Sequence, residues 1–326
     1  MTTRRTVLKG LAAGAGLVAA PALVRAQGFP GGQTIKVVVP FAAGGTTDIT
    51  GRVLADRWTQ MWNTSVVVEN VTGAQGNVAL DRVAKSTPNG TSIVICTPAV
   101  TTNQFLYPRM PFDPEKDLAY LSQTVRIPNL LVVRNSLPVK TVPELIAYGK
   151  ENKGKLNYGS PGVGSSGHLS AEIFKRATGI EMAHVPYRGS ALALNDLVAG
   201  NIDLIFENIP SCINLVRGGQ IRGVAVTSPQ KYVLAPDYPP VSETVADFDV
   251  SAFFGVAVPS ATPPEIRKVI EDSAVAVAKE EPVRKRLAEL TAETIGSNAE
   301  EFSAYIISER QRWGRIIKDL GIRMEQ

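Results

Sequence analysis

Three stretches of this 326-residue chain set glycine and hydroxyl side chains between a strand pattern and a helix pattern. The first is Pro40-Phe41-Ala42-Ala43-Gly44-Gly45-Thr46-Thr47-Asp48. The second is Tyr158-Gly159-Ser160-Pro161-Gly162-Val163-Gly164-Ser165-Ser166-Gly167-His168, and the third is Val185-Pro186-Tyr187-Arg188-Gly189-Ser190-Ala191. Glycine lets backbone N–H groups approach a ligand closely. The helix that follows offers unpaired N–H donors and the positive end of its dipole. Serine and threonine add hydroxyl donors, so each stretch has the chemistry of an anion site. Each also fits a plainer role, because Thr46, Thr47, Asp48, Ser165 and Ser166 are all good helix caps. Asp48 would repel a carboxylate beside it, which points it toward capping, or toward an amine or water.

Catalytic chemistry has thinner support. The two histidines are His168, near a helix start where the dipole disfavours imidazolium, and His184, inside a strand pattern. No G-x-S-x-G elbow occurs, and no His, Cys and carboxylate cluster has metal-ligand spacing, so no metal and no cofactor are expected. Gly162-Val163-Gly164-Ser165-Ser166-Gly167 spells G-x-G-x-x-G. A dinucleotide site would need an acidic residue closing the next strand, and that strand closes on Pro186-Tyr187-Arg188 instead. Arg188 and Arg126 are candidate carboxylate clamps or solvated surface residues. Trp58 and Trp62, four apart, belong to a helix face at the core.

The elements that position these loops alternate. Strand patterns at Thr34–Val39, Val66–Val68 and Ser92–Ile95 are separated by helix patterns at 48–62 and 77–85. The theme recurs with strands at 156–158, 183–185, 202–206 and 223–226, and helices at 168–178 and 191–198 stopped by Gly179 and Gly200. Thr141 to Glu144 and Thr262 to Glu265 have capping-box spacing, and a last helix runs from Asn298 to about Leu320. Alternation of this kind predicts α/β domains with mostly parallel strands. Extended stretches near 125–131 and 249–255 read as paired hinge crossings. The expected division is residues 27–127 plus 252–326 as one domain, with 128–251 inserted as the second.

The N-terminus bears on compartment. Arg4 and Arg5 precede an uncharged run of 15 residues, Gly10 to Val24, and Val24-Arg25-Ala26 offers small residues for cleavage. That layout predicts a secretory signal over residues 1–26, of twin-arginine type, because the run is short of the ~20 residues that span a bilayer. The first 26 residues carry four basic residues and no acidic one, so the 34 basic and 30 acidic residues of the whole chain balance in the remainder. A neutral mature protein argues against nucleic acid as a partner. Two cysteines, Cys96 and Cys212, make no disulfide framework and are expected as buried thiols.

These blocks together resemble the Bug-type, or tripartite tricarboxylate transporter, substrate-binding proteins. The resemblance rests on Ile35 to Phe41 followed by Gly44-Gly45-Thr46-Thr47-Asp48, on Val67-Val68-Glu69-Asn70, and on Gly73-Ala74-Gln75-Gly76-Asn77. It continues through Ser160 to Ser165 with His168-Leu169, His184 to Ala191, Ile202 to Phe206, and Ala225 to Ser228. It covers essentially the whole mature chain. It implies a type II periplasmic-binding-protein fold, two α/β domains joined by two hinge crossovers and closing on a carboxylate. By motif, the implied ligand-binding residues are Phe41, Gly44, Gly45, Thr46 and Asp48 on the first loop. Ser160, Gly164 and Ser165 follow on the second, Tyr187, Gly189 and Ser190 on the third, and Asn208 after the strand that follows. Thr46-Thr47 and Cys96 depart from the residues more usual there, so the resemblance does not name the ligand.

The expected function is therefore capture of a small carboxylate in the periplasm for a tripartite tricarboxylate-type membrane transporter, by a protein that is not an enzyme. A sensor that presents its closed form to a receptor, and an exported hydrolase, are the alternatives. A monomer is the simplest expectation.

Overall fold

The computed structural model describes residues 28–323, so the expected export signal lies outside the described residues. The chain opens with β1 (Ile35–Val39), α1 (Thr46–Trp62), β2 (Val66–Asn70), α2 (Asn77–Ala84), β3 (Ser92–Cys96) and α3 (Ala99–Leu106). A long strand, β4 (Leu118–Arg134), leads to α4 (Val142–Glu151), β5 (Leu156–Ser160), α5 (Ser166–Thr178), β6 (Met182–Pro186), α6 (Ser190–Ala199), β7 (Leu204–Asn208), α7 (Ile209–Arg217) and β8 (Ile221–Val226). It returns through β9 (Ser251–Pro259), α8 (Pro264–Lys279), α9 (Glu281–Glu289), β10 (Glu293–Thr294) and α10 (Ala299–Leu320).

β1 pairs in parallel with β2 and β3, while β9 runs antiparallel between β3 and the first part of β4. From Asn129 onward β4 pairs antiparallel with β7 and β8 instead, and β5 lies parallel between β7 and β6. β4 therefore leaves one sheet at Pro128 and enters the other at Asn129. Ser251, the first residue of β9, lies directly opposite Pro128. The two crossings run side by side, as the type II periplasmic-binding-protein fold requires. Register shifts at Tyr120/Ser122, Gln123/Val125 and Leu131/Val132 bend and twist a strand of 17 residues that would otherwise be stiff.

One core runs through both halves, from Val37 and Ile95 to Leu194 and Ile205, and each half adds a cluster of its own. Val38, Leu80, Val94 and Phe253 pack together in the first half, and Phe174, Phe206 and Phe248 form an aromatic cluster in the second. α10 ties the halves from behind, with Phe302 and Ile306 in the first core and Trp313 and Ile317 in the second. Trp58 and Trp62 stack at 4.9 Å on the core side of α1. Cys96 and Cys212 are buried free thiols.

Local differences from the sequence reading have physical causes. Thr262 does not cap α8. The helix starts after Pro263, and the Thr262 hydroxyl is buried without a partner. Thr141 does cap α4, but Glu144 reaches back to the Lys140 N–H at 2.6 Å rather than to that of Thr141. α10 has the full reciprocal box, between Asn298 and Glu301. The helices α3, α7 and α9 were not expected. α3 is rich in β-branched residues and almost entirely buried, while α7 and α9 each begin on a proline in their first turn. Burial overrode the weak helix propensity of α3.

Candidate functional site

Five helices begin at one small cavity between the halves. Its wall includes Gly45 and Thr46 at the start of α1, Pro98 and Ala99 at α3, Ser165 and Ser166 at α5, Ser190 at α6, and Asn208 before α7. Phe41, Ala252 and Phe254 supply apolar surface, and the enclosed space is about 50 Å³. No lining residue bears an ionisable side chain. Helix starts present unpaired N–H groups and positive dipole ends, so the wall is electropositive without a single cation.

Phe41, Gly45, Thr46, Gly164, Ser165, Ser190 and Asn208 come together at this cavity. Gly44, Asp48, Ser160, Tyr187 and Gly189 stand outside its wall and shape the loops. Asp48 turns back on its own loop, where its carboxylate accepts Gly44 N–H and Arg52 Nε at 3.0 Å on one oxygen and Asn70 Nδ2 at 3.0 Å on the other. Burial raises the Asp48 carboxyl, but these three donors outweigh it and hold the group below its usual range. Gly44 takes φ +89° and Gly189 φ +131°, conformations that L side chains rarely adopt. Tyr187 opens onto a larger outer chamber of about 500 Å³, shared with Tyr107 and Arg188, and its hydroxyl donates to Asp196 Oδ2 at 2.6 Å. Phe41, Gln75 and Pro161 line both spaces and separate them.

Ser160 sits 2.7 Å from His184 Nε2, the separation of a nucleophile and its base. Ser160 is fully buried, however, and neither residue reaches the cavity. Burial drives His184 down to about 4 and His168 to about 3, so both are neutral packing groups, their rings 4.3 Å apart and tilted by 36°. Among the described residues no His, Cys, Asp and Glu cluster could hold a metal.

The hydroxyls at the cavity are mostly committed. Ser165 donates to Gly162 O at 2.7 Å and accepts His168 N–H at 3.2 Å, which makes it the cap of α5. Ser166 donates to Asn129 Oδ1 and accepts from Asn208 Nδ2. Ligand donors at the second loop are therefore chiefly backbone N–H groups. Sequence reasoning missed Gln75, Thr97, Asn103, Ser166 and Ser211. Gln75 and Ala74 take left-handed φ of 53° and 44°, a strained turn that aims the Gln75 side chain across the cleft at Gly162. The glycines of Gly73-Ala74-Gln75-Gly76 were the available signal. Asn103 Nδ2 donates to Gln75 O and Asn77 Oδ1, which fixes its amide and leaves a buried Oδ1 without a partner at the cavity wall.

Residues 50–322 match the family described as the tripartite tricarboxylate transporter family receptor. A Pseudomonas sp. (strain P51) protein from the tcbD-tcbE intergenic region is 31% identical over 99% of this chain and 96% of its own length. The R. palustris protein Rpa4515, solved with adipate, superposes with a TM-score of 0.87 at 35% identity, covering 89% of this chain and 98% of that one. The periplasmic binding protein BugD superposes with a TM-score of 0.86 at 28% identity, covering 89% and 99%. A match over nearly the whole described fold, on a cleft built from helix starts, places the chain in a family of solute-binding receptors rather than one of enzymes: it belongs to the Bug-type receptors of the tripartite tricarboxylate transporter family.

Proposed function

We propose that this protein captures a small carboxylate between its halves and delivers it, unaltered, to a membrane transporter of the tripartite tricarboxylate type. The observation that carries this reading is the uncharged cavity where five helices begin. An anion there meets oriented N–H dipoles from both sides, and a buried cation would meet no counter-charge. The adipate held by the related R. palustris protein supports an acid as ligand.

The domains that close are residues 27–127 with 252–326, and residues 128–251, hinged where β4 and β9 cross at Pro128 and Ser251. The ligand favours closure because both halves donate to it only when together. The first 26 residues act as a cleaved twin-arginine signal, which places the mature monomer in the periplasm. No described helix is long and apolar enough to cross a membrane.

A thermal-shift panel of small mono- and dicarboxylates against their amides tests the reading. A ligand that binds only the folded state raises the melting temperature. A rise with one class of acid and none with its amides supports carboxylate capture. A rise with the amides alone overturns it.

A further inference from the structure

Ser190 lines the cavity, yet its hydroxyl points elsewhere. It donates to Glu207 Oε1 at 2.9 Å. A serine hydroxyl carries one proton. While Glu207 accepts it, Ser190 presents only lone pairs to the cavity, and these repel a carboxylate.

Glu207, on β7, is 1% exposed. Its Oε1 also accepts the Asn208 N–H at 2.9 Å, its Oε2 makes no hydrogen bond of good geometry, and the Ser211 hydroxyl is the remaining donor beside the carboxylate. The groups facing it come from three elements. α6 supplies Ser190, and α7 supplies Ser211 and the thiol of Cys212, which burial first and Glu207 second keep protonated. β4 places the buried Leu130 opposite it in register. The Ser211 hydroxyl is engaged by Thr46 of α1. No lysine, arginine or second carboxylate among the described residues acts on Glu207. A buried carboxylate with one oxygen lacking a well-formed hydrogen bond and no counter-ion is costly as an anion and far less so as the neutral acid.

We propose that the cleft captures its anion together with one proton from solvent, which settles on Glu207, so that the neutral carboxyl donates to Ser190 Oγ and the freed Ser190 hydroxyl turns to the ligand. The inference rests on the carboxylate reading above. Burial pushes the Glu207 carboxyl up to about 7 against its hydrogen-bond donors, so the exchange falls in the neutral range. Glu207 is a positioning residue, acting through Ser190 without touching the ligand.

Titration calorimetry tests this with succinate, adipate, benzoate and nicotinate as probes, using the tightest binder in two buffers of different ionisation heat. Wild type should take up close to one proton per acid bound at about pH 8 and, once the acid's own protonation in solution is subtracted, close to none at about pH 5.5. Its affinity should fall about tenfold per pH unit above about pH 7. Glu207→Gln places an amide donor at Ser190 at every pH. Its binding should be flat with pH and, in mildly alkaline buffer, tighter than that of wild type. If the variant does not fold, the wild-type proton count decides alone. A flat wild-type profile without proton uptake, or a Glu207→Gln variant weakened equally at all pH, overturns the coupling while leaving carboxylate capture intact. If no probe binds either protein at any pH, the carboxylate reading itself falls and the coupling with it.

Discussion

The Ser211 hydroxyl accepts the Thr46 backbone N–H at 3.0 Å and meets the Thr46 hydroxyl at 2.8 Å, joining the start of α1 in one half to α7 in the other. Separating the halves breaks both bonds, so they act as a latch beside the cavity. Ser211→Ala removes them. A net hydrogen bond is worth about 0.5–1.5 kcal/mol, so losing two should weaken apparent ligand affinity by roughly fivefold to about 150-fold as the open form gains population. Calorimetry with small-angle scattering of the ligand-free protein checks this. Unchanged affinity and an unchanged scattering profile contradict it.

Ser165→Ala separates capping from ligand contact. The Ser165 hydroxyl is spent on Gly162 O and His168 N–H. Losing a cap of this kind costs about 1 kcal/mol, and the melting temperature should drop by roughly 2–4 °C. Ligand affinity should change less than about threefold, since the neighbouring backbone donors remain. A loss above tenfold at unchanged stability would assign the hydroxyl to the ligand instead.

Gly162→Ala should strain the second loop and displace the Gln75 amide from across the cleft. A Cβ there would stand 1.6 Å from Gln75 Nε2, and Gly162 has φ +141°. The first problem disappears when the Gln75 side chain moves aside, but the second does not. The variant should lose more than about tenfold in affinity, with a stability cost of about 1 kcal/mol from the backbone. Adding Gln75→Ala should restore part of the affinity. No rescue would place the whole defect in the backbone.

The buried histidines set the acid limit of stability. Folded His168 titrates at about 3 and His184 at about 4, both pushed down by burial, against 6.5 in the unfolded chain. Their contribution is full above about pH 6.5 and drains as pH falls toward 4, because the unfolded chain then binds protons that the folded one refuses. Glu207 runs the other way. Its folded value of about 7 exceeds 4.5, so its contribution is full below about pH 4.5 and is lost as pH rises through 7. Urea midpoints should therefore fall from pH 6.5 to 4.5, and less steeply in His168→Gln, by up to about 1.4 kcal/mol per unit. Equal slopes in the two proteins would mean that His168 is charged in the folded state.

The loops were legible because glycine and small polar residues between a period-two run and a helical run mark strand-to-helix turns. Gly44, Gly162, Gly164 and Gly189 all take left-handed φ, which their residue type suggested. The direction of each hydroxyl was not legible. Ser165 and Ser190 look alike in sequence, yet one caps its own helix and the other serves Glu207, a residue 17 positions away. Asp48 was expected to cap α1 or to meet a ligand amine or water, but α1 starts on Gly45 without a side-chain cap, and Asp48 instead accepts from Gly44, Arg52 and Asn70. Asn103 and Ser211 lie on α3 and α7, helices whose burial and proline start hid their periodicity. Such pairings depend on three-dimensional placement, which one-dimensional spacing does not carry.

The most direct test of carboxylate capture by closure is to identify what the cleft retains. Purified protein is incubated with an equimolar mixture of short mono- and dicarboxylates, hydroxy acids, amino acids and amides, desalted rapidly, denatured, and the released compounds are weighed by mass spectrometry. The structure predicts one class of acid, chemically unchanged, at about one molecule per chain. Retention of an amide alone, or recovery of a hydrolysed or otherwise altered acid, would contradict it.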